Sequence, residues 1–169
     1  MLKLYIGNKN YSSWSMRPWV LLKQAGIEFE EVMLRFDSFD ADSKFKQTIA
    51  PISPTGRVPA LVDGDLAVWD TLAIAEYAAE KFPAKNLWPT NLNARATARS
   101  VCAEMHSGFT GLRGNCPMNI EAHLSDIGCA ATCSASCRCG KACSAHTVAR
   151  CCLVISAWPM LTSHPCACV

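Results

Sequence analysis

The residues best suited to chemistry stand near the start of the chain, in the stretch NYSSWSMRPW of residues 10–19. Ser12, Ser13 and Ser15 precede an apolar run that is typical of a helix, and Arg17 follows two residues after Ser15. Hydroxyl groups at such a position can cap a helix by accepting hydrogen bonds from its first N–H groups. With the positive end of the helix dipole they can also stabilise an anion. The stretch by itself is compatible with both roles.

Two later motifs place polar groups beside turns. RVPA, residues 57–60, joins an arginine to a Val-Pro pair at the start of an apolar strand. WDT, residues 69–71, puts Asp70 and Thr71 where they can cap the next helix. A helix N-terminus also binds carboxylates, because its first N–H groups are free and its dipole favours negative charge. Capping and anion binding use the same groups and are compatible.

The patterns around these motifs predict an α/β domain. Strands are predicted in LKLYIG and EFEEVML, on either side of a helix in SMRPWVLLKQAG with Pro18 in its first turn and a stop at Gly26. A polar segment follows, with one short helix near residues 42–49. Two strands then flank Asp63-Gly64, a hairpin signal, and a last helix follows. The order β-α-β-(α)-β-β-α predicts a mixed four-stranded sheet whose first two strands are parallel.

In this order, YSSWSMRPW, SPTGRVPALVDGD and WDTLAIAEY resemble the N-terminal, thioredoxin-like domain of the cytosolic glutathione transferases. The serine-type, bacterial zeta-like members are the most similar. The resemblance implies a glutathione-binding domain at residues 1–82, a linker at 83–93 and a partial all-helical domain at 94–124. It also implies glutathione as co-substrate, a small electrophile as second substrate, no metal, a cytoplasmic location and a homodimer.

The resemblance gives the serine stretch a chemical role. In this family the sulfur of glutathione lies at the N-terminus of the first helix, and the thiolate is the useful nucleophile. The resemblance therefore implies that Ser12 or Ser13 donates a hydrogen bond to the sulfur, with Ser13 favoured by spacing. Trp14 stands where the zeta-like pattern has cysteine, so a cysteine-assisted role is not implied.

The resemblance also implies how the rest of glutathione is bound. Val58 would present its backbone to the cysteinyl part next to a cis Pro59, although this proline could simply begin a strand. Arg57 is a candidate for the glycyl carboxylate, or else a surface cation. Thr71 would bind the γ-glutamyl carboxylate and Asp70 the amino group.

Composition excludes several classes of function. The chain has 169 residues, half of them hydrophobic, and a formal net charge of +2, which is typical of a globular protein. It has no basic stripe for nucleic acid and no apolar run long enough to cross a membrane. The first residues lack the longer apolar segment of a signal peptide.

The tail, residues 125–169, departs from this composition. All 14 acidic residues lie at or before Asp126, whereas nine of the 11 cysteines follow Gly128. One hypothesis is a thiolate metal cluster, although the spacing of structural zinc knuckles is absent. Its candidate ligands are Cys133, Cys137, Cys139, Cys143, His146, Cys151, Cys152 and His164. A disulfide-stapled tail fits poorly without a secretion signal.

A change of reading frame is the favoured hypothesis for the tail. Shifting the codons of residues 147–169 by one base permits GGPMLFGDFSMADAYFAPVCV, which resembles a late helical segment of the transferases with a capping box. We then expect most of residues 125–169 to be disordered, since they lack a periodic apolar face.

The sequence therefore predicts a glutathione S-transferase, which activates the thiol of glutathione for attack on a small electrophile or for a glutathione-dependent isomerisation. Turnover by this chain is expected to be impaired, because most of the helical domain would be lost. Two alternatives stay open: a glutathione-binding module without catalysis, and a thiol-rich metal-binding protein.

Overall fold

The computed structural model describes residues 1–38, 40–108, 110–115 and 117–121. The predictions for the cysteine-rich tail, including its metal cluster, its disorder and the shifted frame, lie outside the described residues. The chain divides into one compact unit, Met1–Leu87, and a second that begins at Trp88. The domain boundaries given above stay predictions.

The first unit contains a mixed four-stranded sheet in the spatial order β2-β1-β3-β4. Its elements are β1 (Leu2–Ile6), α1 (Ser13–Gln24), β2 (Glu30–Met33), α2 (Lys44–Ile49), β3 (Ala60–Asp63), β4 (Leu66–Trp69), α3 (Thr71–Lys81) and a short 3-10 helix (Pro83–Lys85). Strand β1 pairs in parallel with β2 and antiparallel with β3, and β4 is antiparallel to β3. The predicted thioredoxin-like α/β order is confirmed.

The central strand β1 divides the core between the two faces of the sheet. Leu4 and Ile6 are buried on one face with Leu22 of α1 and Ile74 of α3. Tyr5 points to the other face, where it packs against the cluster around Phe45, Ile49 and Ala60. Each fully buried leucine or isoleucine contributes about 1.5–3 kcal/mol to folding. Helices α1 and α3 therefore cover one face of the sheet, and α2 covers the other.

Helix α1 begins earlier than its apolar stripe predicts. Ser12 is its N-cap and Ser13 its first residue, so Pro18 lies inside the helix and not in its first turn. The prediction for Pro18 was wrong because the helix start is determined by the Ser12 cap, which precedes the apolar stripe. The predicted stop is confirmed, since Gly26 follows the helix with a φ of +60°.

The second unit begins with helices. Helix α4 (Leu92–Ser107) has Asn91 as its N-cap, and α5 (Thr110–Asn115) follows. Within the described ranges, none of the helices is both long and apolar enough to cross a membrane.

Candidate functional site

The register of the sheet brings the three sequence motifs to the same edge. Tyr5 near the end of β1 pairs with Ala60 at the start of β3, and Ala60 pairs with Trp69 at the end of β4. The chain segments that leave this edge are the loop to α1, the Val58-Pro59 turn and the start of α3. Adjacent strands lie about 4.7–4.9 Å apart, so the three segments lie within the span of a small peptide.

Two serines at the start of α1 form a buried hydrogen-bonded pair. The Ser12 hydroxyl donates to the Ser15 hydroxyl over 2.8 Å and accepts the Ser15 N–H over 3.4 Å. The Ser15 oxygen also accepts the N–H of Gly7 over 3.0 Å, which links the end of β1 to the first turn of α1. Both serines are buried. Ser12 thus caps the helix, and Ser15 fixes the helix to the sheet.

Ser13 differs from its two neighbours. It is the first residue of α1 and is half-buried, and its backbone N–H donates to the carbonyl of Tyr11 over 3.0 Å. Across the described ranges, the Ser13 hydroxyl has no hydrogen-bond partner. A free hydroxyl at the positive end of a twelve-residue helix is a suitable donor to an anion.

The Val58-Pro59 peptide bond is cis, as the family resemblance implies. Pro59 is buried, and Val58 is half-buried and packs against the cluster that contains Phe45 and Ile49. Arg57, directly before the turn, is exposed and forms no ion pair with any residue that the structure describes. The turn therefore exposes a cation directly before the Val58-Pro59 backbone.

Asp70 and Thr71 begin α3. The Asp70 carboxylate accepts the N–H of Leu72 over 2.9 Å, so the predicted cap is confirmed. Asp70 also has a φ of +78° and a ψ of +139°, a backbone conformation that is strained for a residue other than glycine. Thr71, the first residue of the helix, is buried. Strain of this kind is commonly kept at functional sites.

Helix α2 contacts the loop that precedes it and the loop that follows it. Its Lys46 ammonium donates to the carbonyl of Gly56 over 3.0 Å. The ring of Phe45 packs edge-on against Phe36 with centroids 5.1 Å apart. A Cβ atom at Gly7 would lie 2.2 Å from the Phe36 ring, so this position must be glycine for the ring to pack there.

Sequence reasoning considered Ser15 only as a possible helix cap, a role that Ser12 takes, and assigned no role to Phe36 or Lys46. The spacing of Ser12 and Ser15 is that of an N-cap and the third residue of a helix, which was a usable signal for their contact. The contacts of Phe36 with Gly7 and of Lys46 with Gly56 join distant or irregular segments, and no local pattern indicates them.

The carboxylates of Glu31 and Asp37 accept hydrogen bonds that connect neighbouring segments of the first unit. Burial raises the pKa of Glu31, but hydrogen bonds from Lys9 and Trp19 outweigh it and hold the pKa below its usual value. These bonds, 2.7 Å and 2.6 Å long, tie the loop before α1 and the helix itself to β2. The N–H groups of Ser38 and, more weakly, of α2 lower the pKa of Asp37.

A metal centre has no support in the part of the chain that the structure describes. Those residues contain no group of three or more histidine, cysteine, aspartate or glutamate side chains that could hold a metal ion. The cysteines proposed as ligands in the tail lie beyond Glu121.

Comparisons with known proteins agree with this geometry. Residues 11–81 match the family model described as "Glutathione S-transferase, N-terminal domain". The chain is 36% identical over 108 residues to glutathione S-transferase Z1 of Arabidopsis thaliana, covering 60% of this chain and 46% of that protein. It is 32% identical over 111 residues to glutathione S-transferase T1 of the same plant, covering 64% of this chain and 44% of the relative.

A solved structure extends the likeness to the fold. A glutathione transferase homologue from Burkholderia, crystallised with bound glutathione, is 31% identical and superposes with a TM-score of 0.55. The superposition covers 66% of this chain and 56% of the homologue. The chain spans just under half the length of the curated relatives it matches. Through residues 11–81, its first unit is similar to the N-terminal domain of the glutathione S-transferases.

Proposed function

We propose that this protein is a glutathione S-transferase of the serine type. The observation that carries the proposal is the pairing of Tyr5, Ala60 and Trp69, which gathers a helix N-terminus, a cis-proline turn and a second helix N-terminus at one edge of the sheet. The solved Burkholderia homologue, which contains glutathione, has the same fold. The relatives named glutathione S-transferases support the same activity.

In the proposed mechanism, the sulfur of glutathione binds beside the Ser13 hydroxyl at the start of α1. A free thiol has a pKa near 8.5 and is mostly protonated at neutral pH. A hydrogen bond from Ser13 and the dipole of α1 both favour the thiolate, which then attacks the electrophilic carbon of the second substrate. Ser12, whose proton is donated to Ser15, acts as the cap that keeps Ser13 in place.

The two ends of glutathione would bind on either side of Ser13. Val58 would pair its backbone with the cysteinyl residue, as an added strand does, and Arg57 would bind the glycyl carboxylate. Free N–H groups at the start of α3, with the Thr71 hydroxyl, would bind the γ-glutamyl carboxylate. Asp70 would bind the ammonium group. Such a role in the site would explain why Asp70 keeps a strained backbone conformation.

Glutathione binding and turnover test the proposal separately. Calorimetric titration of the 169-residue chain with glutathione should give saturable 1:1 binding, and an aryl halide should be conjugated at a rate that depends on glutathione. S-methylglutathione, whose sulfur cannot form a thiolate, should bind without supporting conjugation. Failure to bind glutathione would overturn the proposal. Binding without any conjugation or isomerisation would favour the non-catalytic module instead.

Three finer parts of the proposal follow from the family resemblance alone. The second substrate is a small electrophile, the protein forms a homodimer, and it is located in the cytoplasm. Light scattering of the purified chain would test the dimer, and fractionation of the source cells would test the location.

A further inference from the structure

Lys46 of α2 makes a contact that fixes the backbone just before the cis-proline turn. Its ammonium group donates to the carbonyl of Gly56 over 3.0 Å, and the contact is partly buried. Gly56 has a φ of +59°, the left-handed region that glycine tolerates best. Two residues later, Val58 begins the cis peptide bond.

Other contacts hold the turn, but among the described residues only Lys46 donates a hydrogen bond to the Gly56 carbonyl. The side chain of Val58 packs against the cluster of Phe45, Ile49 and Ala60, which positions the turn against α2. The N–H of Gly56 donates to the carbonyl of Ser53 over 2.8 Å. The carbonyl of Gly56, in contrast, is oriented by the lysine, and a bond to a charged donor is stronger than one to a neutral donor.

We propose that Lys46 is a positioning residue for the glutathione site, acting through the Gly56 carbonyl on the backbone that Val58 presents. The inference rests on the proposed function, since it assigns a role in glutathione binding. Its chemical consequence is specific: Lys46 orders the segment that pairs with the cysteinyl part of the ligand and does not touch the ligand itself. Losing the contact should therefore weaken every ligand that pairs with Val58.

A second arrangement would use the same lysine differently. The ammonium of Lys46 could leave Gly56 and bind the glycyl carboxylate of glutathione directly. The dipeptide γ-glutamylcysteine separates the two arrangements, because it keeps the cysteinyl backbone and lacks the glycine. Loss of a positioning contact weakens both ligands, whereas loss of a direct carboxylate contact weakens glutathione alone.

The test uses three variants of the 169-residue chain. Lys46→Met keeps the aliphatic stem and removes the charge, and Lys46→Arg restores a charged donor. Lys44→Met is the matched control, since Lys44 is exposed on the same helix and its side chain has no partner within the described ranges. For each variant, calorimetry gives the Kd for glutathione and for γ-glutamylcysteine, and thermal unfolding reports on the fold.

We expect Lys46→Met to raise both Kd values by about tenfold, the effect of one charge-assisted hydrogen bond. Lys46→Arg should recover most of the affinity, Lys44→Met should match the parent chain, and kcat at saturating glutathione should change little. Unchanged Kd values in Lys46→Met, or a loss confined to glutathione, would overturn the inference. Failure of the parent chain to bind glutathione would instead refute the proposed function.

Discussion

The hydroxyl of Ser12 donates to the hydroxyl of Ser15 over 2.8 Å, and both oxygens are buried. A serine hydroxyl has a single proton to donate. Because Ser12 directs its proton into the protein, it has none for a ligand at the end of α1. Ser13, whose hydroxyl is unbonded within the described residues, is the better candidate for the donor to the glutathione sulfur.

Replacing Ser13 by alanine should therefore reduce catalysis with little effect on folding. A hydrogen bond to an anion contributes about 1.5–3 kcal/mol, so kcat for aryl halide conjugation should fall about ten- to a hundredfold. The pKa of bound glutathione, followed by the ultraviolet absorbance of its thiolate, should rise in the same variant. The Kd for glutathione should change much less.

Ser12→Ala is the complementary variant: it should reduce stability and leave the pKa of the bound thiol unchanged. Loss of an N-cap destabilises a protein by about 1 kcal/mol, and the change should appear in urea unfolding. If Ser12→Ala raised the thiol pKa and Ser13→Ala did not, the two roles would have to be exchanged.

Replacing Ser15 by alanine should destabilise the first unit more than either change. The Gly7 N–H and the Ser12 hydroxyl would both lose their partner in a buried place. An unsatisfied buried donor costs about 1–3 kcal/mol, and urea unfolding would measure the loss. Ser100→Ala on α4 is the control, because that residue is exposed and, within the described ranges, its hydroxyl bonds only to the carbonyl of Ala96. Equal stability of the two variants would contradict the linking role of Ser15.

The sequence predicts the local features of the site well. Hydrophobic alternation identifies β1, the Asp63-Gly64 pair identifies the hairpin, and Asp70 is found as a cap. The resemblance also predicts the cis bond before Pro59. These features depend on residues within a few positions of one another, and a linear pattern records them.

Contacts that cross the fold could not be predicted in this way. Gly7 meets Phe36 only because parallel pairing of β1 and β2 brings their ends together. Lys46 reaches Gly56 only because α2 folds back on the irregular segment that follows it. Even the division of roles between Ser12 and Ser13 depends on where Ser15 points. Local sequence indicates the caps and turns, but tertiary packing decides which hydroxyl is free.

Replacing Asp70 by asparagine should separate its two roles. Asparagine keeps a cap oxygen for the Leu72 N–H and, being the same size as aspartate, meets the same backbone strain, so stability should stay within about 0.5 kcal/mol. The negative charge proposed to bind the ammonium group of glutathione is lost, and the Kd should rise about tenfold. Calorimetry and urea unfolding of the same sample give both values. A Kd equal to that of the parent chain would remove Asp70 from the binding site.

The free energy of unfolding should decrease in acid, partly because the Asp37 carboxylate becomes protonated. Backbone N–H groups of Ser38, Phe45 and Lys44 hold its pKa below the ordinary 3.8. A lowered folded pKa means that the contribution is complete above the unfolded value and is lost as the pH falls through the folded value. Asp37→Asn should therefore be less stable than the parent chain at pH 7, and the difference should shrink below pH 3.8. Urea unfolding across this range measures it. Asp65→Asn, in the exposed hairpin turn, should have a small effect throughout.

Gly7→Ala tests the contact between the end of β1 and the loop before α2. The added Cβ would lie 2.2 Å from the Phe36 ring, so the ring or the strand end must move. Such overpacking costs about 1–3 kcal/mol, measurable by urea unfolding. Gly114→Ala is the control, because no described atom beyond its chain neighbours and its own helix backbone lies within 4 Å of its Cβ position. Combining Gly7→Ala with Phe36→Leu should destabilise less than the sum of the two single changes, since the smaller side chain relieves the clash. Strict additivity would mean that the ring does not restrict position 7.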